Sequence, residues 1–225
     1  MYILIVTATS LEIKPLIENF EFIEKKESNL NTYKYRDFDI DVLITGIGMV
    51  ATAFYMGKTL QSYQYDIAIN VGIAGCFNKK VALGEVFNVS SDSFSELGAE
   101  NGECFLSLVD LKLIEEDSFP FSNLELLNES IIKSQIVNQL IKVKGITVNT
   151  IHGNEENIEK IKRRFNPVTE SMEGAAFMYA CKLQNLKYIQ IRSVSNYVEK
   201  RNKESWNIPL AINNLNKLLI KILDE

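Results

Sequence analysis

Two carboxylates stand three residues apart in Thr169-Glu170-Ser171-Met172-Glu173-Gly174-Ala175-Ala176-Phe177, and nothing bulky follows the second until Phe177. The run Gly174-Ala175-Ala176 lets the start of a helix pack close to its neighbours. Met172, Ala176 and Tyr179 or Ala180 recur at helical spacing, so 172–184 reads as a buried helix. An acid in the first turn of a helix is favoured by the dipole alone, and that is one reading of Glu173. The other is a carboxylate at the mouth of a pocket, holding the hydroxyls of a sugar.

A second polar group closes an apolar strand: Ile191-Arg192-Ser193-Val194-Ser195-Asn196-Tyr197. Asn196 reads either as a turn former or, with Arg192 and Ser195, as part of a ligand site at a strand's carboxyl end. Two glycine loops also call for a reading. Gly46-Ile47-Gly48-Met49-Val50-Ala51 fits G-x-G-x-x-A, but it follows a hairpin and no acid ends the next strand, so tight turning and close helix packing compete with a dinucleotide site. Asn70-Val71-Gly72-Ile73-Ala74-Gly75-Cys76 ends a buried strand, where ligands gather in α/β sheets. Backbone approach to a small ligand at Gly72, Ile73 and Ala74 is expected. The loop lacks Gly-Lys-[Ser/Thr] and is no P-loop.

These residues need a scaffold. The 225 residues suffice for one sizeable core, and 46% apolar with 24% charged residues is an ordinary globular mix. A net charge of −5, with no basic run long enough to suggest a nucleic-acid footprint, disfavours phosphate-rich polymers as partners. Three scattered cysteines and one histidine argue against a disulfide framework or a metal site. Neither a signal peptide nor a membrane-length apolar run is present, so a cytoplasmic protein is expected. Strands are expected at 2–8, 31–36, 39–45, 66–71, 85–90, 145–151 and 187–195. Helices are expected from Ser10 (as N-cap), at 49–63, about 129–142, 155–164, 172–184 and 205–222. Strands alternating with helices predict one α/β domain over 1–225 with a mixed, mostly parallel sheet.

The pieces Glu12, Gly46-Ile47-Gly48, Asn70 to Gly75, Ser171 to Ala176 and Arg192 to Asn196 stand in the order found in the purine nucleoside phosphorylase / methylthioadenosine nucleosidase superfamily, which the chain resembles along nearly its whole length. The branch it resembles is that of the futalosine hydrolases. The features are the Gly-Ile-Ala-Gly loop, Phe94 to Glu100, and Ser195 to Glu199 running on to Trp206 to Ala211.

The resemblance implies a three-layer α/β/α fold and cleavage of an N-ribosidic bond through an oxocarbenium-like transition state. By it, Glu12 positions or deprotonates water, Arg192 helps hold that water, Glu173 accepts from the ribose hydroxyls, and Met172 packs on the sugar. It implies a purine nucleoside partner, a homo-oligomer (a dimer favoured) and no metal or organic cofactor. Met49, Ala53 and Met56 are candidates for an interface or for the core.

Asn196 departs from the Asp of the adenine-specific nucleosidases. Its amide can donate to a purine O6 while its oxygen accepts from a protonated N7. It therefore points to a 6-oxopurine such as the hypoxanthine of futalosine, a compound of menaquinone synthesis. Asn70 stands where the bacterial hexameric phosphorylases carry an arginine for phosphate, and a carboxylate at Glu12 would repel phosphate. Both favour water. Ile73 replaces the serine common in the methylthioadenosine branch. Phe94, Phe105 and Tyr197 are equal candidates for the aryl ring at the 5′ end. His152, near the purine-contact loop, is either a substrate contact or structural.

Overall fold

A computed structural model describes residues 1–225. The elements run β1 (Tyr2–Thr7), α1 (Ser10–Ile17), β2 (Glu21–Glu27), β3 (Leu30–Tyr35), β4 (Phe38–Ile44), α2 (Met49–Ser62), β5 (Ile67–Cys76), β6 (Val86–Phe94), β7 (Gly98–Asn101), β8 (Cys104–Ser107), β9 (Leu126–Leu127), α3 (Gln135–Gln139), β10 (Lys142–Thr147), α4 (Glu155–Phe165), β11 (Thr169–Ser171), α5 (Gly174–Leu183), β12 (Tyr188–Tyr197) and α6 (Ile208–Asp224).

The main sheet has the order β11-β10-β6-β12-β5-β1-β4-β3-β2. β11 also pairs with β5, so β5, β12, β6, β10 and β11 close into a small barrel, and β1, β4, β3 and β2 extend from it. The sheet is mixed, as expected, but its parallel share is lower than expected. β1–β4, β1–β5, β5–β12, β6–β10 and β10–β11 are parallel. As many pairings are antiparallel: β5–β11, β6–β12, β2–β3, β3–β4 and β6–β9.

Strand period explains the two cores. Ile3 and Ile5 of β1 join Ile13 and Leu16 of α1 and Leu215, Leu219 and Leu223 of α6. Leu4 and Val6 join Met56 of α2 and Phe177, Met178 and Cys181 of α5. The sheet thus carries helices on both faces, and α4 adds Ile161 to Ile146 and Val148 beside β10.

Several boundaries differ from expectation. The N-cap of α1 is Thr9, not Ser10. The helix expected over about 129–142 shrinks to α3, because the cap at Ser134, whose Oγ accepts from Val137 N at 3.1 Å, starts it late and the chain is extended again by Leu140. The strand expected to 151 stops at Thr147, and α5 begins at Gly174 rather than Met172. β2, β9 and the β7–β8 hairpin have no counterpart among the expected strands.

Candidate active site

The parallel strands β4, β1, β5 and β12 present their carboxyl ends on one side. Each leads into a segment that carries polar groups there. β1 runs into α1, where Glu12 is buried at 8% exposure. Its Oε2 accepts from Thr9 N at 3.0 Å, Thr9 Oγ1 at 2.8 Å and Thr7 Oγ1 at 3.3 Å. Its Oε1 accepts from Ile73 N at 3.2 Å. Glu12 is therefore a capping-box acid that also spans to β5.

Arg192 of β12 lies at 2% exposure. Its Nη1 donates to Ile191 O at 3.1 Å and its Nη2 to Asn70 Oδ1, while Asn70 Nδ2 donates to Val6 O at 3.0 Å. The Nε of Arg192 has no partner. Glu12 and Arg192 meet over Gly72: a Cβ there would lie 3.0 Å from Glu12 Oε1 and 3.5 Å from Arg192 Nη1. Burial works against the guanidinium's charge, and the carboxylates of Glu173, Glu12 and Asp92 work for it.

Glu173 is the N-cap of α5. Its Oε1 accepts from Gly48 N at 2.9 Å and its Oε2 from Met172 N at 3.2 Å. Burial pushes its carboxyl up; Arg192 and the Gly48 N–H pull it down, and Glu12 adds to the rise. The first glycine loop is explained here. Gly46 and Gly48 take φ of 83° and 97°, open to glycine and strained for other residues, and the turn delivers the Gly48 N–H to Glu173.

Asn196 is aimed by a β-bulge. Val194 pairs with Ala74 and Asn196 with Gly75, leaving Ser195 as the extra residue. Asn196 Oδ1 accepts from Ser195 Oγ at 2.8 Å, and its Nδ2 donates to Tyr197 O at 3.0 Å. Ser195 Oγ also lies 3.3 Å from Ala74 O. One acceptor site and one N–H of the amide are left over.

The structure thus brings together Glu12, Gly72, Ile73, Glu173 and Arg192, with Ala74, Ser195 and Asn196 beside them. Met172 gives its backbone N–H to Glu173, but its side chain packs against Ile146, Val148 and Ile161. Phe94 stands apart in an aromatic trio with Phe121 and Tyr179, centroids 6.0 to 6.4 Å apart. This trio lines an apolar cleft of about 560 Å³ with Met49, Val50 and Ala176, one helical turn beyond Glu173. Tyr197 donates its hydroxyl to Val81 O at 2.8 Å, and Phe105 lies under Arg164. His152 pairs with Glu170 on β11.

Further residues hold these groups. Thr7 and Thr9, which the sequence did not single out, fix Glu12, and Asn70 of the second glycine loop fixes Arg192. Thr147 Oγ1 accepts from Ala175 N at 2.7 Å and donates to Asp92 Oδ1 at 2.9 Å, and Gln190 Nε2 donates to Asp92 Oδ2 at 2.9 Å. The start of α5 is clamped onto this network: a Cβ on Gly174 would lie 2.0 Å from Gln190 Oε1 and 2.3 Å from Asp92 Oδ2. Burial raises the Asp92 carboxyl to about 6 against the hydrogen bonds from Gln190 and Thr147. The signal for these three is a polar residue inside a buried strand: Asp92 in β6, Thr147 in β10 and Gln190 in β12.

A family model described as the phosphorylase superfamily matches residues 2–224. A futalosine hydrolase of Acidothermus cellulolyticus is 25% identical over 78% of this chain and 71% of its own. One of Thermus thermophilus is 28% identical over 81% and 80%. Among solved structures, a 5′-methylthioadenosine/S-adenosylhomocysteine nucleosidase of Colwellia psychrerythraea, in complex with adenine, superposes with a TM-score of 0.81 at 20% identity over 100% of this chain and 95% of its own. The futalosine hydrolase of Helicobacter pylori does so with 0.80 at 17% identity over 100% and 97%.

Proposed function

The chain belongs to the phosphorylase superfamily, and on that premise we propose that it cleaves the N-ribosidic bond of a purine nucleoside with water, taking futalosine and releasing hypoxanthine. The observation that carries this reading is the meeting of Glu12 and Arg192 over the bare backbone of Gly72. A carboxylate already held by backbone and threonine donors is a fixed base for a water molecule. The buried guanidinium helps hold that water. A phosphate would meet the charge of Glu12 at the same place, and the guanidinium nearest to it is already engaged by Asn70.

Glu173 keeps acceptor capacity beyond its two backbone N–H donors for the ribose hydroxyls. Its charge favours the cation that develops on the sugar. Such a preorganised charge in a water-excluded site is worth about 2–4 kcal/mol in the transition state. Asn196 offers its spare N–H to a purine O6 and its spare lone pair to a protonated N7. An adenine would set an amine against that N–H. The cleft lined by Phe94, Phe121 and Tyr179 suits an aryl group on the 5′ chain. In this reading the enzyme works in the cytoplasm on a menaquinone route; its three cysteines are unpaired.

A second reading is adenine release, as in the methylthioadenosine/adenosylhomocysteine nucleosidases, favoured by the likeness to the Colwellia nucleosidase. One assay separates them: purine release from futalosine, inosine and methylthioadenosine, each with and without phosphate. Hypoxanthine from futalosine, indifferent to phosphate, is the expected result. Release from inosine that requires phosphate would make the protein a phosphorylase. Adenine release would overturn the reading of Asn196.

A further inference from the structure

The Glu170 carboxylate, at 4% exposure, has no part in the chemistry above. It accepts two hydrogen bonds from one residue: the backbone N–H of His152 at 2.9 Å, and the imidazole Nδ1. The pair stands at the base end of the site. Glu170 is in register with Gly75 of β5, and Gly75 with Asn196 of β12. A Cβ on Gly75 would be 3.3 Å from Asn196 Nδ2. With strands about 4.8 Å apart, the Glu170 and Asn196 backbones stand about 10 Å from each other across β5. The loop that carries His152 bends to the same end: a Cβ on Gly153 would lie 3.7 Å from Glu199 O and 3.9 Å from Arg201 N, just past Asn196.

We propose that His152 reads N1 of the leaving purine as a hydrogen-bond acceptor, and that Glu170 is the positioning residue that sets its tautomer. This rests on the 6-oxopurine reading above. An ionised carboxylate only accepts, so the ring nitrogen bonded to it carries the proton. In the neutral imidazole the other nitrogen, Nε2, is then a bare lone pair. His152 engages the rest of the protein through N and Nδ1 alone, which leaves Nε2 for a ligand. A 6-oxopurine carries a proton on N1 and satisfies that lone pair. A 6-aminopurine has a lone pair on N1 and opposes it. Asn196 and His152 thus test two different positions of the same base, and both admit the oxo form.

The alternative is that the pair only ties the 148–153 loop to β11. Glu170→Gln distinguishes the two. The backbone N–H of His152 is an obligate donor and claims the single amide oxygen. The amide NH₂ then faces Nδ1, which must become the acceptor, and the ring proton moves to Nε2. The probes are free hypoxanthine and free adenine, titrated calorimetrically into the wild type, Glu170→Gln and His152→Ala. Wild type is expected to prefer hypoxanthine, and the preference to fall by at least about tenfold in both variants, a mismatched polar contact being worth that much. Glu170→Gln should gain on adenine, whereas His152→Ala should lose chiefly on hypoxanthine. A preference unchanged within about twofold, including equal loss on both bases, overturns the inference, as does a wild type that binds neither base. A tautomer-dependent preference in a protein that does not hydrolyse futalosine would leave the inference standing and remove the substrate reading instead.

Discussion

Glu12 takes four hydrogen bonds, from Thr7, Thr9 twice and Ile73, and so has little freedom to move when a substrate arrives. Glu12→Gln is expected to lower kcat at least about 100-fold, because an amide cannot take a proton from water. Hypoxanthine affinity, read by calorimetry, should stay within about threefold. Each carboxylate oxygen also accepts one backbone N–H, so the amide must set its NH₂ against one of them, at a cost of about 1–3 kcal/mol in stability. Retained turnover would remove Glu12 from the water-activating role. Asn196→Asp should raise activity on 6-amino nucleosides relative to 6-oxo ones, since an acid can offer its proton to N7 and no longer presents an amide NH₂ to the 6-position. An unchanged ratio would count against the pairing argued from Asn196.

At the scale of elements, the start of α5 is held by a buried polar network rather than by a side-chain cap. Asp92 on β6, Thr147 on β10 and Gln190 on β12 together fix Ala175 and leave no room beside Gly174. Glu173 stands immediately before that clamp. The raised carboxyl of Asp92 makes the network pH-dependent in a definite sense. The folded protein holds this proton to about 6, whereas the unfolded chain releases it near 4. Between those values the folded state binds more protons, so the Asp92 contribution to stability is complete below about pH 4 and is lost as the pH rises to about 6. The loss amounts to about 3 kcal/mol. Asp92→Asn removes this dependence. The stability of the variant relative to wild type, measured by urea unfolding, should therefore rise by about that amount between pH 4 and pH 7. A flat difference would show that Asp92 is ionised throughout.

On the whole molecule, α2 divides its apolar residues between two surroundings. Met56 is fully buried against β1 and α5, whereas Val50 and Phe54 are exposed at 77% and 64% beside Ile47 at 64%. Of the three residues considered for an interface, Met56 is therefore core, whereas Met49 and the exposed Ala53 both line the cleft of Phe94, Phe121 and Tyr179. Met56→Ala is expected to cost about 2–5 kcal/mol by leaving a cavity. If a second copy covers this face, as the resemblance implies, Phe54→Glu should convert a dimer to a monomer in sedimentation without a comparable loss of stability. A wild type that sediments as a monomer would refute that assembly. No helix is long and apolar enough to cross a membrane.

The strand–helix alternation was legible in the residues alone, because buried strands and amphipathic helices have different periods. The sequence also brought out Glu173, Arg192 and Asn196, because charged or amide groups next to apolar runs are chemically conspicuous, whereas Glu12 came forward only through the family resemblance. Tertiary structure alone decided the closure of β11 onto β5, which depends on pairing between strands distant in the chain. It decided the short α3 as well, where a serine cap and local extension override a helical pattern. It assigned the glycines of the 46–48 turn to positive φ and to Glu173, a partner 125 residues away. It aimed Asn196 through a bulge at Ser195, and it set Glu170 behind His152. Apart from α3, whose cap at Ser134 is local, each of these rests on a hydrogen bond or a register between separate segments of the chain, and local periodicity carries no trace of such partners.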